Sequence, residues 1–187
     1  WNPQDHEWAG DEYDLSQSDW AKEIIAAGIR PVFEMEAFIP GQDLDDIDSD
    51  PIYEAVELFH SGYERAALSS LNKMLEQDLR CIDAHAHLGS FTFDTDPKMA
   101  LKHYEVGKAI AELSQDPQIL GVLPWGLIDN RPYLRCLHGY GLCLWRLERF
   151  DEAAAAFKKL LWLNPNDNQG ARFLYPEAKA HKPWRRM

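Results

Sequence analysis

NRPYLRCLHGYGLCLWRLERFDEAAAAFKKLLWLNPND, residues 130–167, is the stretch whose periodicity decides the fold. Asn130 is a favourable N-cap residue, and Pro132 falls in the first turn, where its missing N–H is harmless. Leu134, Leu137, Gly141 and Leu144 then recur at helical spacing, with Gly141 as the one position leaving room for close helix approach. The pattern breaks at Glu148 and Arg149. It resumes at Phe150 with Ala153, Phe157, Leu160 and Leu161 on one face, and Asn164, Pro165, Asn166 and Asp167 end it with residues that favour caps and turns. Neither helix can bury its apolar stripe alone, so the two are expected to pack as an antiparallel hairpin.

Two weaker copies of this pattern precede it. The first starts at Pro51, with Ala55, Leu58, Gly62, Ala67, Leu71 and Met74 near the same offsets. The second carries Leu88, Gly89, Ala100, Tyr104 and Gly107, with its turn at 94–97. In residues 130–167 the large, small and aromatic positions and the closing proline (Leu137, Tyr140, Gly141, Leu144, Ala153, Phe157, Leu160 and Pro165) resemble the tetratricopeptide repeat, a helix–turn–helix unit of about 34 residues. The sequence departs from that pattern at Leu137, where tryptophan is usual, and at Glu148, where glycine is usual. Leucine still fills the inter-helix space, and the turn is expected to need only polar, short-range chemistry. An ordinary helical hairpin is the alternative. The resemblance implies an all-α fold, a short right-handed superhelix of about three hairpins, which meets the minimum for a stable stack.

The last third of the chain, PWGLIDNRPYLRCLHG through NPNDNQGARFL, also resembles a set of bacterial tetratricopeptide-type proteins and part of the suppression-of-tumorigenicity family. That likeness bears on architecture. It offers no catalytic residues to transfer.

Domain organisation follows from the same reading. Residues 1–50 are expected to be an arm, irregular over 1–17, with one short helix capped by Ser18 and stopped by Gly28, and an acidic linker. Residues 31–40, PVFEMEAFIP, alternate weakly and are expected to lie across helices rather than in a sheet, since no second strand is visible. Residues 51–175 form the repeat domain and residues 176–187 a basic tail. In the linker, Asp46, Asp48, Asp50 and Glu57 mimic the spacing of a calcium loop, but Pro51 stands where the turn glycine belongs, and Ser49 or Asp50 reads as a helix cap. The repeat domain is interrupted by an apolar insert at 114–130. Its large side chains, Trp125 among them, would be exposed on an unpacked loop. The insert is expected to fold back onto the helices with Trp125 as anchor, or else to dock another chain.

Composition limits the functions. A net charge of −12 argues against a nucleic-acid partner, which needs a concentrated positive face. No apolar run approaches the roughly 18 residues of a membrane span, so a soluble cytoplasmic protein is expected. A start at Trp1 reads as a fragment or processed product. The three cysteines, Cys81, Cys136 and Cys143, read as reduced thiols. Within CIDAHAHLG, Cys81 pairs with His85 and Asp83 with His87 by i, i+4 spacing, but no further ligand motif completes a metal site and no oxyanion donor or orienting acid accompanies the cysteine.

The expected function is therefore a non-catalytic scaffold or adaptor that binds a protein or peptide on a concave face lined by the first helix of each hairpin. By register that lining comprises Tyr53, Val56 and His60, then His87 and Ser90, then Arg135, His138, Leu142 and Trp145. No cofactor is expected, and a homo-oligomer is compatible with the sequence. Family members that clamp a C-terminal carboxylate use lysine and asparagine where this chain has Ile52, Val56, His87, Arg135 and Gly139; only Arg135 suits that task. The alternatives are a metal-dependent or cysteine-based enzyme on a helical scaffold, and a subunit that self-assembles through the insert.

Overall fold

Three Schellman-type or Asp-capped turns divide the middle of the chain into helical pairs. The computed structural model describes residues 1–8, 14–43, 45–46, 49–114 and 121–185. Among them it contains eight α-helices and no strand beyond one isolated bridge. After α1 (Asp19–Ala27) come the pairs α2 (Pro51–His60) with α3 (Glu64–Gln77), α4 (Ile82–Thr92) with α5 (Pro97–Leu113), and α6 (Arg131–Arg146) with α7 (Phe150–Leu163). A last helix, α8 (Ala171–Lys179), packs on α7. It was not foreseen, and the expected boundary between repeat domain and tail at 175/176 falls inside it.

The caps explain the starts. Asp50 accepts from the backbone N–H groups of Ile52 and Tyr53, and Asp96 from those of Lys98 and Met99, each with proline in the first turn. Asp167 caps α8 by accepting from Ala171 and Arg172. The first and third turns share one hydrogen-bond pattern. Tyr63 N–H reaches Leu58 C=O in the first and Arg149 N–H reaches Leu144 C=O in the third, a six-to-one closure around a residue of positive φ. That residue is Gly62 (φ 85°) in the first turn and Glu148 (φ 61°) in the third. The third turn thus needs the left-handed conformation as well as polar chemistry, and Glu148 adopts it without glycine's freedom.

Each helix pair packs internally, α3 contacts α4, and α5 contacts α6. The first helices also touch in sequence, α2 with α4 and α4 with α6, forming one row. Close approach in this row is not confined to Gly141. A Cβ on Gly141 would lie 2.7 Å from the Phe157 ring, but Gly89 and Gly139 together make the socket for Tyr104, where a Cβ would lie 2.6 Å and 2.2 Å from the ring. The main core joins Trp20, Ala21 and Ile24 of α1 to α6, α7 and α8, while smaller clusters fill the first hairpin and the Tyr104 socket.

The insert folds back, over the part that is described. Val122 and Leu123 are buried, and Leu123 N–H donates to Leu163 C=O at 2.7 Å. Residues 115–120, including Ile119 and Leu120 of the apolar run, lie outside the described residues, as does Asp48 of the acidic linker. Residues 31–39 form no helix, and at one point they find a pairing partner. Val32 forms a parallel bridge with Val122, with Phe33 N–H donating to Val122 C=O and Val122 N–H to Pro31 C=O, both at 2.9 Å. No helix among the described residues is long and apolar enough to cross a membrane.

Candidate functional site

The row of first helices faces a cleft of about 770 Å3. Ile52, Tyr53 and Val56 of α2, Ile82, Asp83 and His87 of α4, and Pro132 and Arg135 of α6 line it. Residues 35–39 of the arm form another wall, and Ile128, Asp129 and Arg131 close it near the insert.

Its polar centre is built by helical spacing. Asp83 and His87 lie one turn apart on α4, and Arg135 reaches them from α6: its Nη1 donates to Asp83 Oδ1 at 2.9 Å and lies 3.4 Å from His87 Nε2. Burial lowers the His87 pKa, against the upward pull of Asp83 and with the downward push of Arg135. His87 Nε2 also lies 3.6 Å from Asp83 Oδ1, so the three side chains form one cluster. The Asp83 pair fixes Arg135 in place while both contacts use only Nη1, so Nε and Nη2 remain to meet a ligand's carbonyl or carboxylate. Beside it, Trp125 is half-buried and lies under two guanidinium groups, those of Arg131 at 5.4 Å and Arg135 at 5.8 Å from its ring. Trp125 N–H approaches Asn164 Oδ1 at 3.4 Å, and Arg131 Nε donates to Trp125 C=O at 3.0 Å.

Asn130 joins this site to the arm. It sits at the α6 N-cap position with helical dihedrals, and its side chain caps nothing. The carboxamide turns toward residues 33–35 instead: Oδ1 accepts from Met35 N–H at 2.8 Å, and Nδ2 donates to Phe33 C=O at 3.0 Å and to Pro124 C=O at 3.1 Å. The residue is fully buried, so three satisfied bonds offset the cost of removing an amide from water.

Comparison with known proteins assigns no relative. No protein-family model, no curated protein and no solved structure matches the chain.

Of the nine lining residues expected from register, Tyr53, Val56, His87 and Arg135 are in the cleft. The other five lie elsewhere. His60 is exposed at the end of α2 beside Phe59. Ser90 is exposed near the end of α4. His138 packs on Phe157, with Nε2 buried, and burial pushes its pKa down to about 4. Leu142 packs against the main core. Trp145 is buried against Phe157 and Trp184, and its indole N–H donates to Lys182 C=O at 2.7 Å, which holds the tail against the core. The three on α6 share a cause. Toward its C-terminal end α6 is enclosed by α7 and the tail, so positions that continue the cleft-facing register become core.

All three cysteines are buried, and burial pushes their thiols up, Cys143 to about 12, which keeps them protonated. His85 Nε2 lies 3.0 Å from Leu79 C=O rather than on Cys81. The residues missed from sequence are Asn130, whose amide reads as a cap, and arm residues 35–39, for which weak alternation was the one signal.

Proposed function

We propose that this chain is a non-catalytic scaffold of the tetratricopeptide type, a right-handed stack of three hairpins whose cleft binds an extended segment of a protein partner. The observation that carries the reading is the cleft lined by the first helix of each of the three hairpins. A groove of that kind receives an extended peptide or a partner helix. Arg135, positioned by Asp83, adds a donor for a carbonyl or carboxylate, and Ile52, Tyr53, Val56 and Ile82 supply apolar contact.

The test is selection of binders from a random peptide library against the intact chain. Selected peptides are expected to lose about tenfold or more in affinity for a Tyr53→Ala, Arg135→Ala double variant, equivalent to about 1.4 kcal/mol. Thermal unfolding of that variant should stay within a few degrees of the parent. A library without binders, or binders indifferent to both substitutions, would overturn the proposal.

A further inference from the structure

We infer that the partner segment carries one acidic side chain between apolar residues, and that its carboxylate is received by Arg135 with Arg131 beside it. The inference rests on the reading of the cleft as a peptide site.

Arg131 and Arg135 stand one turn apart on α6, so their side chains share a face, and both line the cleft. Their guanidinium carbons lie 5.4 Å and 5.8 Å from the same Trp125 ring. Two positive charges therefore meet at one indole. A single carboxylate is bonded there: Asp83 accepts from Arg135 Nη1, whereas Arg131 donates through Nε to Trp125 C=O and makes no ion pair among the described residues. Both arginines are half-buried, where solvent and salt screen the remaining positive charge less than on an open surface, and an incoming carboxylate neutralises it. Donors remain to meet that group. Among the described residues Arg135 Nε and Nη2, and both Nη atoms of Arg131, make no hydrogen bond, while the contacts to Asp83 and Trp125 hold the two side chains in place. Nε and Nη2 of Arg135 form one edge of the planar fork, which matches the two oxygens of a carboxylate.

The rest of the lining sets what surrounds the carboxylate. Helix α4 touches both α2 and α6, so the arginines have Ile52, Tyr53 and Val56 across α4 on one side and Ile110, Ile128 and Pro132 on the other. A segment crossing the row meets apolar surface before and after the arginines, which puts the carboxylate on a side chain within the segment rather than at a chain end. The acids of the cleft set the count. Asp50 is engaged as the α2 cap and Asp83 is bonded to Arg135, but Glu36 and Asp129 also line the cleft and repel further negative charge. One acidic residue among apolar neighbours fits this surface, and an acidic run does not.

The experiment screens the intact chain against a random peptide library displayed through its C-terminus, which offers no free terminal carboxylate, and against a companion library with free C-termini. Peptides selected from the first are synthesised with amidated C-termini, as they stand and with Asp or Glu replaced by Asn or Gln. They are expected to carry an acidic residue between apolar ones. Its replacement should cost about tenfold in affinity for the parent and less than about twofold for Arg135→Gln. Binders that need Tyr53 but carry no acidic residue, or that lose equally on both proteins when it is replaced, overturn the inference and leave the cleft reading standing. Binders that come only from the companion library do the same. Binders from neither library, or binders indifferent to Tyr53→Ala, overturn both. Where Arg135→Gln unfolds because Asp83 loses its partner, Arg131→Gln, which breaks no ion pair, carries the comparison: the cost of replacement should fall by about threefold, and an unchanged cost overturns the inference.

Discussion

Gly139 is read from sequence as a position unsuited to a carboxylate clamp, and its packing role depends on a residue from another helix. Tyr104 of α5 fills the space that a side chain there would take, with ring atoms 2.2 to 2.5 Å from the Cβ position. The ring is buried and walled by Gly89 on its other contact, so it has little room to retreat. Gly139→Ala should therefore destabilise the protein by about 1 to 3 kcal/mol despite alanine's better helix propensity. Denaturant titration checks this, and a variant as stable as the parent would mean that the socket relaxes freely. Gly141 was legible because its partner Phe157 lies in the same hairpin, at a spacing the repeat fixes. Gly139 was not, because no local pattern says which ring crosses from the neighbouring pair. Asn130 shows the same limit: its residue type favours a cap, but the arm and insert offer three backbone partners that the local sequence cannot reveal.

Some helix ends were readable, although Ser18 makes no capping bond and its hydroxyl donates to Leu15 C=O instead. Asp50 before Pro51 and Gly28 after Ala27 act as their types predict. Helix α8 was hidden by Pro176 within it, and its start depends on Asp167 accepting two backbone N–H groups. The insert was legible as something that must be covered, since its apolar residues had to leave water. Its path was not, because the bridge to Val32 joins segments distant in sequence. Trp125 anchors it by half-burial and by two guanidinium contacts, so Trp125→Ala should cost about 1 to 2 kcal/mol rather than the full value of a buried tryptophan. Hydrogen exchange should rise at the Leu123 amide and change little within α6. Uniformly faster exchange through α6 and α7 would show that the ring supports the whole core instead.

At the scale of the molecule, stability should depend on pH through histidines kept neutral by burial. The His138 pKa falls from its ordinary 6.5 to about 4, and burial also lowers those of His85, His87 and His103. Between these limits the unfolded chain binds more protons than the folded one, so folding stability is fully present above about pH 6.5 and declines as the pH falls toward 4. For His138 alone the linkage amounts to as much as about 3 kcal/mol, and His138→Gln should flatten that part of the curve in denaturant titrations at successive pH values. An identical slope in the variant would contradict the assignment. The same stack of helices that buries His138 exposes the cleft lined by α2, α4 and α6, and the claim that this cleft receives a peptide is tested most directly by hydrogen exchange of the intact chain with and without a library-selected binder. The account predicts slower exchange on binding around Ile52, Tyr53, Val56, His87 and Arg135. Slowing confined to α3, α5 or α7, with the cleft unchanged, would contradict it.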